Sequence, residues 1–131
     1  MHKKLLFLCT GNSCRSQMAE GFANIKLNKK FKISSAGVEA HGLNPRAVRA
    51  MDEMGIDISH QRSNSILEDE LSQYDIIITL CGDARDRCPA LLGNSNNIHW
   101  DLQDPAKARG DENEIMNIYR EVRDQIFNHI D

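Results

Sequence analysis

No sign of charge dominates this sequence: 16 Lys and Arg stand against 19 Asp and Glu in 131 residues, a formal net charge of −3. That gives no overall electrostatic drive toward nucleic acid or an anionic membrane surface. Long apolar runs are missing as well. Met1 to Cys9 carries two lysines, a short apolar stretch and a cysteine, but Leu5–Leu8 is shorter than the about 7 to 15 residues of a signal's apolar region or the about 20 of a membrane span. A soluble cytoplasmic chain is expected, in which thiols stay reduced and the four cysteines are candidates for chemistry or metal rather than for structural bridges. Internal repeats, linkers and low-complexity stretches are also lacking, so residues 1–131 read as one domain. With 40% hydrophobic residues the composition excludes intrinsic disorder, and a chain of this length can bury roughly 65 to 70% of its unfolded surface without disulfide staples.

Hydrophobic periodicity sorts the chain into alternating strands and helices. Lys4–Cys9 is a compact apolar run ending at Thr10-Gly11-Asn12, the pattern of a buried strand entering a tight loop. Cys14, Met18, Phe22 and Ile25 follow at helical spacing, with Ala19 and Ala23 beside them. Lys32–Ala36 reads as a short strand closed by Gly37. Asn44-Pro45 is a cap with proline at the first helical position; Ala47, Val48, Met51 and Met54 then form one face, and Gly55 ends it. Ser63–Leu71 is expected to be a short helix. Asp75–Leu80 is the clearest strand, and its continuous apolar character suits a parallel strand covered on both faces. Ile98-His99-Trp100 is a weaker strand, and Ile115, Ile118, Tyr119, Val122, Ile126 and Ile130 mark a long terminal helix starting near Asp111. The expected class is α/β: a single domain with a small parallel sheet of about four strands flanked by helices.

Chemistry concentrates at Cys9-Thr10-Gly11-Asn12-Ser13-Cys14-Arg15-Ser16. Between a strand and a helix, a cysteine and an arginine separated by five residues make an anion cradle: loop amides point inward, the helix N-terminus adds positive potential, and Arg15 grips two oxygens bidentately. Such a field makes Cys9 the candidate nucleophile. Gly11 permits backbone geometry that a side chain would block, and the Ser16 hydroxyl is placed to hydrogen-bond the sulfur. The bland alternative, a buried cysteine at a strand end with an unrelated surface arginine, does not account for the strand and helix on either side. Zinc fits poorly, because Cys9-x4-Cys14 and Cys81-x6-Cys88 are not two-residue knuckles and the five histidines are scattered. The sequence therefore predicts no metal-ligand set of that kind.

Cys9–Ser16 resembles the phosphate-binding loop of the low-molecular-weight protein tyrosine phosphatase fold, which includes phosphatases and thioredoxin-coupled arsenate reductases. Both use the loop cysteine and arginine, and many of the phosphatases also carry a cysteine at the place of Cys14. Asp104-Pro105, ahead of the terminal helix, matches the family's general acid; expelling hydroxide or alkoxide requires a proton, which a carboxylic acid supplies. Asp101 is a lesser substitute. The segment Cys81-Gly82-Asp83-Ala84-Arg85-Asp86-Arg87-Cys88-Pro89, directly after the strong strand, resembles the redox segment of the arsenate reductases. Simple phosphatases lack this pair. Similarity extends to Ser35-Ala36-Gly37, the Asn44-Pro45 helix, Asp57-Ile58-Ser59 and His99-Trp100. Where the phosphatases have tyrosines after Asp-Pro, this chain has Ala106 and Lys107, which removes an aromatic wall for an aryl phosphate.

The resemblance implies arsenate reduction. Arsenate is held by Thr10, Gly11, Asn12, Ser13, Cys14, Arg15 and Ser16; Cys9 attacks arsenic while Asp104 protonates the departing hydroxide. Cys81 and Cys88 then pass the oxidation outward to a Cys81–Cys88 disulfide that thioredoxin reduces. No organic cofactor is called for, and a monomer is expected. Some of these reductases bind potassium beside the loop, and Asn12, Glu20 and Ser35 match part of that site. The Thr-Ser-Asp segment that completes it reads Arg62-Ser63-Asn64 here, which loses a carboxylate and gains a cation. At most a weak potassium site is expected, with Arg62 as a candidate replacement for the ion's charge. Two other readings stay open at this point: a phosphatase whose extra cysteines only protect it from oxidation, and a non-catalytic oxyanion or redox sensor.

Overall fold

A computed structural model of the chain describes residues 3–9, 12–27, 29–37, 40–66, 73–80, 96–100, 102, 105 and 108–130. Strands β1 (Lys3–Cys9), β2 (Phe31–Gly37), β3 (Ile76–Thr79) and β4 (Asn96–His99) form one sheet in the order β2-β1-β3-β4, with every pairing parallel. Three helices lie among the described residues: α1 (Arg15–Lys26), α2 (Pro45–Asp52) and α3 (Glu112–Ile130). The α/β class and the four-stranded parallel sheet are as the periodicity predicts.

β1 runs through the middle of this sheet, and its five residues Leu5–Cys9 are all buried. Successive side chains of a strand leave by opposite faces, so β1 feeds two cores. Leu5 and Phe7 join Met18, Phe22, Met51, Met116, Tyr119 and Ile126, while Leu6 and Leu8 pack with Ala36 and Ile77; Cys9, the last residue of the strand, departs from the alternation and joins the second cluster. A strand with one polar face could not occupy this position. At the start of α2 the Asn44 side chain accepts from the Arg46 N–H at 2.8 Å, with Pro45 following it. The Asp111 carboxylate does the same for α3, accepting from the Glu114 N–H at 2.8 Å. Glu53, just past α2, takes hydrogen bonds from Arg120 and Arg123 of α3. The Arg120 guanidinium, more than any other group, holds the Glu53 carboxyl down to about 2.

Three sequence expectations need correction. Ser63–Ile66 is extended rather than helical: the Gly37 N–H donates to Asn64 O, the Ile66 N–H donates to Gly37 O, and Gly37 bridges Ser65 in parallel. The end of β2 supplies backbone partners that no local pattern reveals; the rest of that expected helix, 67–71, lies outside the described residues. Ile25 and Met54, assigned to inner helix faces, are 61% and 40% exposed because each stands at or beyond the last turn that meets the core.

α1 approaches its neighbours closely at Gly21, where an added Cβ would stand 2.6 Å from Ile58 Cγ2 and 3.2 Å from Met51 Cε. Gly21→Ala should therefore lower stability by about 1 to 3 kcal/mol despite its better helix propensity, because Ile58 is fully buried and must shift. Urea unfolding of the two proteins measures this; an unchanged or raised midpoint would show that Ile58 gives way without cost.

Candidate active site

β1 ends at Cys9 and α1 begins at Arg15, and both Asn12 and Ser16 meet the Cys9 sulfur. The Asn12 N–H donates to Cys9 Sγ at 3.2 Å, and the Ser16 hydroxyl lies 2.8 Å from the same atom. Ser16 Oγ also accepts from Asn12 Nδ2 at 2.8 Å, which leaves its single hydrogen for the sulfur. An N–H and an O–H aimed at one buried sulfur are the partners a thiolate requires. Cys9 is 2% exposed, so water competes little for these contacts.

Asn12 is the hub. Its φ of 48° is the left-handed conformation, the only such case for a non-glycine among the described residues. Asparagine tolerates that conformation better than most residues, and here its side chain fixes it from several directions. Nδ2 donates to Ser16 Oγ and, at 3.0 Å, to Ser35 Oγ. Oδ1 accepts from the Asn64 N–H at 2.7 Å and from Gln17 Nε2 at 3.2 Å. A backbone N–H can only donate, so Asn64 determines which end of the Asn12 amide is oxygen. Ser35 in turn donates its hydroxyl to Glu20. Burial raises the Glu20 carboxyl above its usual range, opposed by the Ser35 hydrogen bond and the charge of His60.

A second layer stands behind Asn12. Gln17 Nε2 donates to Asn12 O at 3.0 Å and to Arg62 O at 2.9 Å, and Gln61 Nε2 donates to Gln17 Oε1 at 2.8 Å and to Gln17 O at 2.9 Å. Gln17 is fully buried on the first turn of α1. Arg62 is an exposed residue and contributes its carbonyl to this layer.

Arg15 opens α1 and is 6% exposed; its Nη1 donates to Leu102 O at 3.1 Å, two positions ahead of Asp104 in the sequence. One guanidinium thus links the cysteine loop to the segment that carries the expected acid. Cys14 is buried with its thiol 3.8 Å from the Tyr119 hydroxyl, which burial, and then Cys14, push above the usual range. The Asn44 N–H donates to Ser13 O at 3.0 Å, which fastens the start of α2 to the loop.

Of the residues expected from sequence, the structure brings together Cys9, Asn12, Ser13, Cys14, Arg15 and Ser16, with Glu20 and Ser35 behind them. Thr10, Gly11, Cys81, Cys88 and Asp104 lie outside the described residues. Leu80, the residue before Cys81, is fully buried and donates its N–H to Leu8 O at 3.0 Å, so β3 leaves the sheet level with the end of β1. The sequence reading missed Gln17 and Gln61. A glutamine on a helix carries no signal of this kind, and its partners are 44 and 45 positions away. Among the described residues no group of three or more His, Cys, Asp or Glu is arranged to hold a metal ion.

The model of the low molecular weight phosphotyrosine protein phosphatase family matches residues 4–130. The chain belongs to that family. Within this phosphatase family it is 53% identical over 129 residues to an arsenate reductase of Bacillus subtilis (strain 168), a match covering 98% of this chain and 93% of the relative. A solved arsenate reductase in the phosphate binding state superposes with a TM-score of 0.80 at 36% identity, covering 98% and 93% of the two chains. A low molecular weight protein tyrosine phosphatase from T. tengcongensis superposes with 0.81 at 28% identity, covering 98% and 95%. Scores this similar mean that the backbone does not separate the two activities; side chains must.

Proposed function

We propose that this chain is a thioredoxin-coupled arsenate reductase. The observation that carries the oxyanion chemistry is the Cys9 sulfur, held by the Asn12 N–H and the Ser16 hydroxyl at the start of a helix that Arg15 opens. The Cys81 and Cys88 pair favours reduction over simple ester hydrolysis, as do Ala106 and Lys107 in place of an aromatic wall and the similarity to curated arsenate reductases.

The loop amides of residues 10–16 and Arg15 bind arsenate. Cys9 attacks arsenic, a sulfur–arsenic bond forms, and Asp104 gives a proton to the departing hydroxide. Cys81 then attacks Cys9 sulfur. The sulfur–arsenic electron pair stays with arsenic, which falls from the pentavalent to the trivalent state and leaves as arsenite, and a Cys9–Cys81 disulfide remains. Cys88 displaces Cys9 from Cys81, and thioredoxin reduces the resulting Cys81–Cys88 bridge. The chemistry needs no organic cofactor and suits a monomer in the reducing cytoplasm. No helix among the described residues is long and apolar enough to cross a membrane.

The test is arsenate reduction with a thioredoxin system, beside hydrolysis of an aryl phosphate. Sustained arsenate-dependent turnover with only residual ester hydrolysis is expected; the reverse pattern would make the chain a phosphatase. Asp104→Asn should slow the single-turnover step by about 10² to 10⁴-fold while leaving exchange between the thiols intact. An unchanged rate across the neutral pH range would assign the acid role elsewhere, Asp101 being the first alternative.

A further inference from the structure

We infer that Tyr119 is a positioning residue for the thiol relay: its hydroxyl holds the Cys14 sulfur toward α3, so that the thiol nearest to Cys9 in the sequence stays out of the exchange. The two loop cysteines are both buried and neither is bridged in a disulfide. They pack in different places. Cys9 lies with Leu6, Leu8, Ala36 and Ile77, whereas Cys14 lies with Met18, Met116 and Tyr119. The Cys14 sulfur is 3.8 Å from the Tyr119 hydroxyl and 3.5 Å from the Ser13 hydroxyl. A phenol accepts from a thiol and donates to a thiolate, so Tyr119 holds this sulfur in either protonation state.

The hydroxyl is itself fixed. Tyr119 is fully buried on α3, and the Asn44 side chain and the Arg46 guanidinium face the same oxygen. Arg46 is anchored in turn by Glu112 at 2.9 Å, and the Asn44 N–H donates to Ser13 O, next to Cys14. A Cys9–Cys14 disulfide requires the two sulfurs to be bonded at about 2.05 Å. The bonded Cys14 sulfur then has no hydrogen to give and carries no charge, so closing that bridge weakens its contact with Tyr119. The consequence rests on the proposed relay. Attack by Cys14 on the arsenic-bearing Cys9 would form the sulfur–sulfur bond and release arsenite with the sulfur–arsenic electron pair, as attack by Cys81 does. It would, however, leave the oxidation in the buried loop, away from any external reductant.

The first test needs no arsenate. In a Cys81→Ser/Cys88→Ser protein, hydrogen peroxide takes two electrons from the Cys9 sulfur and leaves a sulfenic acid; Cys14 then attacks it, forming the disulfide and releasing water. With a cyclic diketone present to trap the sulfenic acid, peptide mapping gives the ratio of bridged to trapped Cys9. Adding Tyr119→Phe should raise that ratio by about 3- to 10-fold, the scale of one lost hydrogen bond. Tyr119→Met, which also lacks the hydroxyl, serves if the phenylalanine protein does not fold. Val122→Ala loosens the same cluster without touching the hydroxyl and should leave the ratio unchanged. The second test supplies arsenate: Cys81→Ser/Tyr119→Phe should release arsenite about 3- to 10-fold faster than Cys81→Ser and end with a Cys9–Cys14 bridge. An unchanged or lower bridged ratio without the hydroxyl would overturn the inference, as would an equal rise in Val122→Ala or no bridge in any variant. If the ratio rises as expected while no protein, the unaltered chain included, yields arsenite, the hold on Cys14 stands and the reductase reading falls.

Discussion

A Cys9→Ser protein should lose arsenate turnover by roughly 10³-fold or more, the scale on which removal of a catalytic nucleophile is felt, while still binding arsenate. The substitution is nearly isosteric and the site is prepared for it: the Asn12 N–H and the Ser16 hydroxyl, 3.2 and 2.8 Å from the sulfur, can serve an oxygen equally well. The fold and the anion cradle should survive, and an arsenate-induced rise in Tm measures that. What the hydroxyl lacks is ionisation near neutral pH, without which it starts neither attack on arsenic nor disulfide exchange. Arg15→Lys should also be severely impaired, through KM as well as turnover. Its planar fork reaches Leu102 O at 3.1 Å and, in the proposed mechanism, also holds the oxyanion; an ammonium cannot do both. Substantial arsenate reduction by Cys9→Ser would remove the proposed nucleophile and the reading built on it.

Those two residues were legible in the sequence because their signal is local. An apolar run, a Thr-Gly-Asn turn and a helical pattern fall within one short stretch, and the cysteine and arginine stand at its two junctions. β3 was legible for a similar reason, since a strand buried on both faces is apolar throughout. The segment Ser63–Ile66 was misread because its conformation is set by the end of β2: Gly37 both donates to Asn64 and accepts from Ile66. Gln17 and Gln61 were invisible for the same reason. Their chemistry is a matter of which amide faces which carbonyl across a 44-residue separation, and composition or spacing does not encode that. Asn12 is an intermediate case. The loop motif marked it as a binding residue, but only the structure shows that its φ of 48° is held by its own side chain.

The two remaining cysteines separate reductase from phosphatase, since the fold is shared by both. If Cys81 attacks the arsenic-bearing Cys9 and Cys88 closes the relay, Cys88→Ser should release one equivalent of arsenite per enzyme and then stop as a Cys9–Cys81 disulfide. Cys81→Ser should release almost none. Leu80 lies level with the end of β1 through its hydrogen bond to Leu8, which favours residue 81 over residue 88 for the first attack. Closing the second bridge requires the Cα atoms of Cys81 and Cys88 to come within roughly 4.4 to 6.8 Å, as disulfide geometry demands. Hydrolysis of a phosphate ester needs neither thiol, so both variants should keep whatever residual phosphatase activity the parent has. Counting arsenite per enzyme and mapping the disulfides of each oxidised variant decides the order. A stoichiometric burst from Cys81→Ser would exchange the roles of the two thiols. No arsenite from the parent or from either variant, with ester hydrolysis intact in all three, would leave Cys9 with Asp104 alone, which is the machinery of a phosphatase.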